Sequence, residues 1–128
     1  MRKLNILLLA FAVIFVGANA LAQKSTGEQP DKLLNVFVPN AFTPNMDGLN
    51  DVFKPVISGG AIDFYEIVIL DRTGKEVFSS SNPKEVWNGT FRGSDYLSSP
   101  TLFVYFLKVK SVESLEYQVF KGHVVMVR

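Results

Sequence analysis

From residue 34 onward, apolar and polar positions alternate with the period of two that marks strands, and no stretch repeats its apolar residues at helical spacing. Residues 34–38 predict a first strand, ended by Pro39, whose ring cannot donate to a ladder. The strongest run, residues 64–70, is apolar on both faces, as a central sandwich strand would be. It meets Asp71-Arg72-Thr73-Gly74, a sequence suited to a type I turn or a longer hairpin loop, and residues 75–79 return beside it. Glu85, Val86 and Trp87 predict a short strand stopped by Asn88-Gly89, a pair that favours left-handed backbone angles. Residues 101–110 predict a long strand. Phe103, Tyr105, Leu107 and Val109 share one face, and Val104 and Phe106 share the other with Lys108 and Lys110. Residues 111–114 turn the chain and residues 115–120 run back. Gly122 predicts a bulge or kink before a last strand over 123–128. The fold class is all-β, a small antiparallel immunoglobulin-like β-sandwich of about seven strands. A partly open barrel is the alternative.

The amino terminus departs from this pattern. Arg2 and Lys3 precede an apolar run over 4–16 interrupted only by Asn5, and small residues follow as Ala18-Asn19-Ala20 and Ala20-Leu21-Ala22. That order is the pattern of a cleavable Sec signal over residues 1–22. The run is shorter than the roughly 20 residues a membrane span needs, and no cysteine follows it to carry a lipid anchor. Residues 23–33 then read as a flexible leader and residues 34–128 as the one domain, with no integral membrane segment after signal cleavage. Without Arg2 and Lys3, the basic side chains fall one short of the acidic ones, which gives no electrostatic case for nucleic acid. The absence of cysteine excludes a disulfide scaffold, so the core alone must hold the fold. Nine of the eleven phenylalanines lie after the signal and supply much of that core.

One segment is neither strand nor leader. Residues 38–53 carry two prolines, three asparagines, two aspartates and a glycine between apolar anchors, a composition that demands a loop of defined shape. The run Pro39-Asn40-Ala41-Phe42-Thr43-Pro44-Asn45, then Met46-Asp47-Gly48, then Asn50-Asp51 and Phe53, resembles the opening motif of the gliding-motility-associated C-terminal domain of Bacteroidetes. That domain is the type B sorting domain of the type IX secretion system. The resemblance extends through Asp71-Arg72-Thr73-Gly74, Trp87-Asn88-Gly89-Thr90, Tyr105-Phe106-Leu107 and the valine-rich strand after Gly122. Four residues depart from the family pattern: Met46, where the family has glycine, and Thr73, Asn88 and Phe103. A left-handed backbone angle at Met46 would be costly, which predicts a reshaped loop.

The resemblance implies a non-catalytic module, exported by Sec through the periplasm. The type IX translocon, with an outer-membrane partner of the PorP/SprF type, would then recognise it and deliver it to the cell surface or medium. A link to gliding motility is implied with it. With only a short leader ahead of the domain, the chain also fits a stand-alone adaptor, a regulator of the pathway or the remnant of a longer gene. A stand-alone surface module, adhesin-like or carbohydrate-binding, is the alternative function; Tyr65, Trp87, Tyr96, Tyr105 and Tyr117 would supply a sugar-stacking platform, against the reading that most of them pack the core. An enzyme is not expected: His123 is the one histidine, no serine sits in a nucleophile elbow, and the carboxylates are scattered. The candidate metal site is a calcium loop of Asn45, Asp47, Asn50 and Asp51, with Gly48 letting the backbone wrap a cation. Against it stands the reading that these side chains bond to nearby amides as nested Asx turns. No other cofactor is implied. The candidate recognition surfaces are this loop and the final strand, Val124, Val125, Met126, Val127 and Arg128.

Overall fold

The computed structural model describes residues 31–91, 95–96 and 101–127. They form strands β1 (Asn35–Phe37), β2 (Ala41–Phe42), β3 (Val56–Ser58), β4 (Ile62–Leu70), β5 (Glu76–Ser80), β6 (Thr90–Phe91), β7 (Asp95–Tyr96), β8 (Thr101–Ser111) and β9 (Gln118–Met126), with no helix among the described residues. The fold is all-β, as the alternation predicts. A five-stranded sheet has the order β2-β9-β8-β4-β5, and β1–β3 and β6–β7 form two-stranded sheets. The predicted signal segment, most of the leader and Arg128 lie outside the described residues. At the leader's end, the Leu115 amide donates to Asp31 Oδ1 at 3.3 Å, and Lys32 Nζ lies 3.3 Å from Glu113.

The period of two sorts each long strand. Tyr65, Ile67 and Ile69 of β4, Phe103, Leu107 and Val109 of β8, and Val124 and Met126 of β9 are buried on the inner face of the main sheet. Phe42 of β2 joins the same sheet's share of the core, and Leu34, Phe53 and Trp87 pack with them, Val36, Val38 and Ile57 being partly buried around them. Two layers over one core make the sandwich. Each fully buried side chain of this size contributes roughly 1.5–3 kcal/mol, and no disulfide is present to assist.

Pro39 ends the first strand, as predicted, but the strand resumes in the other sheet. The Leu34 amide donates to Gln118 Oε1 at 2.8 Å, and Gln118 Nε2 donates back to the Leu34 carbonyl at 3.0 Å. Seven residues on, Ala41 pairs with Val125 and Phe42 with Met126, in the same sequence offset of 84. The chain therefore tracks β9 in one register while Asn35–Phe37 bonds to β3 instead. Pro39, having no N–H, sits where the strand changes sheets. The β2–β9 pairing is parallel, a local departure from the predicted antiparallel order.

The structure departs from expectation at three points. Residues 85–87 form no strand; Trp87 makes an isolated bridge to Phe53, with amide-to-carbonyl distances of 2.7 and 3.0 Å. Residues 115–120 and 123–128 are not two strands about a kink. The single strand β9 runs through Gly122 with its register to β8 unbroken, Gly122 facing Tyr105. Glycine is needed there because a Cβ would lie 2.6 Å from Tyr105 Oη and 2.9 Å from its ring. Finally, β2, β3, β6 and β7 are two or three residues long, too short to show a period in sequence. The β4–β5 turn is as predicted: the Gly74 amide donates to the Asp71 carbonyl, and Gly74 takes φ +85.

Candidate functional site

The loop between β2 and Phe53 is organised around one carboxylate. Asp51 Oδ1 accepts the amides of Asn45 (3.2 Å) and Met46 (2.9 Å), and Oδ2 accepts that of Gly48 (2.7 Å). Asn45 Oδ1 accepts the Asp47 amide and Asp47 Oδ1 accepts the Leu49 amide, so Asx turns nest inside the Asp51 clasp. The Thr43 amide closes the loop on the Asn50 carbonyl at 2.7 Å. Three residues take left-handed angles: Met46 (φ 61), Gly48 (φ 84) and Asn50 (φ 53). Met46, where the family has glycine, itself takes the left-handed angle. The bond from its own amide to Asp51 holds it in the left-handed region, where a non-glycine residue costs roughly 1–2 kcal/mol. Of the four candidate calcium ligands, three point their side-chain oxygens at amides, and Asn50 contributes its carbonyl to the loop's closure. Among the described residues, no group of three or more His, Cys, Asp or Glu side chains is placed to hold a metal ion.

The ends of the loop are aromatic anchors. Phe42 and Phe53 lie 6.2 Å apart between ring centroids, and Phe42 lies 5.2 Å from Trp87. Trp87 is 1% exposed and meets Phe103 edge-on at 4.8 Å. Its Nε1 donates to the Thr90 carbonyl at 2.8 Å, and Asn88 Oδ1 accepts the Thr90 hydroxyl at 2.8 Å. Asn88 thus performs the turn-closing task that an aspartate in that place would perform. Gly89, at φ +87, lets the turn pass Met126, whose Sδ would stand 2.5 Å from a Cβ.

The final strand is embedded in the fold. Val124 and Met126 are fully buried. The amides of Val125 and Val127 donate to the Asn40 and Phe42 carbonyls, so this end of β9 is paired on both sides. Val127 is exposed, and Arg128 lies outside the described residues. The structure therefore brings the carboxyl-terminal strand and the start of the Pro39 motif together through β2, and the loop springs from that pair. Of the candidate sugar platform, Tyr65 and Trp87 are buried, Tyr105 is half-buried over Gly122, and Tyr117 is exposed. The Tyr96 side chain lies outside the described residues.

Two features escaped the reading of the sequence. An open cleft of about 430 Å³ lies at the β5 edge, lined by Glu66, Ile67, residues 79–82 and Glu85, with Ser80 Oγ donating to Glu85. Burial, and then the Glu85 carboxylate, push the neighbouring Tyr65 phenol up to about 12. The second is the outer face of the main sheet, where Leu102, Phe106, Tyr117 and Val119 are exposed. The apolar residues on both faces of residues 64–70 and 101–110 were its signal. His123 stands exposed on that face opposite Val104. Among the described residues no helix is long and apolar enough to cross a membrane.

The family model of the CHU_C type IX secretion signal domain matches residues 36–126, from β1 to the end of β9. No curated protein and no solved structure matches the chain.

Proposed function

We propose, since the chain belongs to the CHU_C type IX secretion signal domain family, that residues 34–128 are the address by which the type IX translocon takes this chain across the outer membrane. Membership carries a sorting role, dealings with the type IX machinery and a destination toward the cell surface or extracellular space. The finer reading is ours: export by Sec through residues 1–22, passage through the periplasm, recognition with a PorP/SprF-type outer-membrane protein, and delivery to the surface or medium, in a gliding-motility setting. The sorting role is carried by the span of the family match, which runs from within β1 to the end of β9. A folded sandwich offers a partner its loops, edges and faces rather than a linear peptide, so recognition must read the assembled domain. The Asp51 loop is one such surface, held rigid by three hydrogen bonds to one side chain.

The test is a reporter inserted between residues 33 and 34 of the full chain and followed in type IX-competent and translocon-deleted hosts. Delivery to surface or medium in the competent host, with periplasmic retention in the deletion strain, is the expected result. Retention in both hosts overturns the reading. Deleting the PorP/SprF-type protein alone tests the partner separately.

A further inference from the structure

Among the described residues two non-glycine residues take left-handed angles, Met46 (φ 61) and Asn50 (φ 53), and both lie in the Asp51 loop. Asparagine tolerates that region because its short polar side chain bonds locally, an advantage methionine lacks. Packing does not offset the strain, since the Met46 side chain is 83% exposed. Leu49, three residues on, is 70% exposed, and Val52, beside the Phe53 anchor, 40%. A strained residue that its surroundings hold in place, with no packing gained inside the fold, marks a loop that meets something outside it.

The backbone under these side chains is fixed before any partner arrives. The Met46 amide donates to Asp51 Oδ1 at 2.9 Å. Leu49 is held at both of its groups: its amide donates to Asp47 Oδ1 at 2.8 Å, and its carbonyl accepts the Thr43 hydroxyl at 3.5 Å. Little ordering is left to be done on binding, which favours affinity from a small apolar area. Charge narrows the occupant. Residues 43–53 hold two carboxylates, Asp47 and Asp51, and no basic residue; the next basic residue along the chain, Lys54, lies past the Phe53 anchor. Asp51 is turned to three amides, while Asp47 is exposed and joins no salt bridge among the described residues.

We propose that this loop inserts Met46 and Leu49 into an apolar pocket of a partner protein whose basic rim meets Asp47. Methionine suits the role, being unbranched and able to adapt to the pocket it fills. A second copy of this chain fits less well. Loop on loop, a two-fold contact sets Asp47 and Asp51 against their own images. The cleft at the β5 edge of a second copy presents Glu66 and Glu85 to an acidic loop. An anionic lipid surface repels a loop of two carboxylates without a basic residue. The inference rests on the export reading and adds to it the side chains that are read and the chemistry of what reads them.

The experiment puts photoreactive benzoylphenylalanine in place of Val52, which leaves Met46 and Leu49 intact, in the reporter-bearing full chain, and irradiates intact type IX-competent cells. The same group in place of exposed Arg72 is the control. The expected result is a protein adduct from the first position and not the second, identified by mass spectrometry and joined at an apolar residue. Met46→Gly, Leu49→Ser and Asp47→Asn, the last keeping an acceptor for the Leu49 amide, each reduce the adduct and the delivered reporter. Met46→Gly with Leu49→Ser reduces both at least about tenfold. Met46→Gly does so while raising the urea midpoint, a divergence that loop order alone does not produce; Met46→Leu keeps adduct and delivery. An adduct only with another copy of this chain or with lipid, one that forms equally from the Arg72 position, or one indifferent to these variants overturns the proposal. The adduct is read whether or not the reporter crosses the outer membrane. Failed delivery with the adduct intact therefore overturns the export reading alone, delivery without an adduct overturns the docking alone, and the loss of both overturns both.

Discussion

Replacing Asp51 by alanine removes the clasp of the loop at a stroke. Three amides lose their acceptor, those of Asn45, Met46 and Gly48. Hydrogen bonds to an ionised acceptor contribute about 1.5–3 kcal/mol each, ordinary ones about 1. The three amides lie in an exposed loop where water can replace the carboxylate, so each bond contributes no more than an ordinary one, about 0.5–1 kcal/mol, and the sum is about 2–3 kcal/mol. The strain at Met46 adds to the loss of order, because its left-handed angle (φ 61) is held by one of those bonds. Asp51→Asn is the finer probe: it keeps an acceptor for Asn45 and Met46 but turns an amide group toward the Gly48 N–H, costing about 1–2 kcal/mol. Met46→Gly works in the opposite direction. The side chain is 83% exposed, so little packing is lost. Relief of roughly 1–2 kcal/mol of left-handed strain is offset by about 0.5–1 kcal/mol of glycine entropy, a net gain of about 0.5–1 kcal/mol. Urea denaturation at neutral pH reads all three: the midpoint shifts while the slope stays constant, since the loop exposes little extra surface. In heat, each kcal/mol moves Tm by about 4–8 °C for a domain of this size. A double-mutant cycle of Asp51→Ala with Met46→Gly should show coupling, because one side chain restrains the other. An Asp51→Ala midpoint within about 0.5 kcal/mol of the parent refutes the clasp. Additive behaviour of the pair refutes the link between carboxylate and strain.

Other outcomes follow from the same geometry. With its loop oxygens turned to amides, the chain should melt at the same temperature in calcium and in chelator; a rise with calcium, measured by calorimetry, would show that Asn45, Asp47, Asn50 and Asp51 turn to a cation instead. Gly89→Ala should cost about 2–3 kcal/mol, through its φ of +87 and a contact of 2.5 Å with Met126 Sδ, whereas Gly74→Ala, at φ +85 with open space around it, should cost about 1; equal losses in urea melts would dismiss the Met126 contact. The Tyr65 phenol titrates at about 12 in the fold against about 10 unfolded, so its contribution is intact below about pH 10 and is lost as pH rises toward 12. That loss reaches about 2–3 kcal/mol, and Tyr65→Phe should flatten the fall of stability across this window; parallel curves for the two proteins would contradict the assignment.

What the sequence determined by itself was set by local rules. Period-two alternation over β8 set its strand and faces, because successive side chains must point to opposite sides of a pleated chain, while the continuous apolar run of β4 marked a central strand. Asp71 and Gly74 specified their turn through a side-chain acceptor and a left-handed angle, and the Pro39–Phe53 run carried the family by its residues alone. Asp51, too, was legible as an Asx residue. That it would clasp three amides at once depends on where the loop returns. Tertiary structure decided whatever rests on contacts between distant segments. Pro39 reads only as a strand end until the register with β9 shows the strand changing sheets. Gly122 reads as a kink until Tyr105, on another strand, occupies the place of its missing side chain. The final strand reads as an edge until β2 pairs along it, and burial then withdraws Val124 and Met126 into the core. Lys121 meets the Phe106 ring, and Lys108 that of Tyr117, only through the pairing and packing of separate strands. Side-chain alternation is written in a single strand; which strands lie side by side depends on loop closure and packing, and no residue encodes that alone.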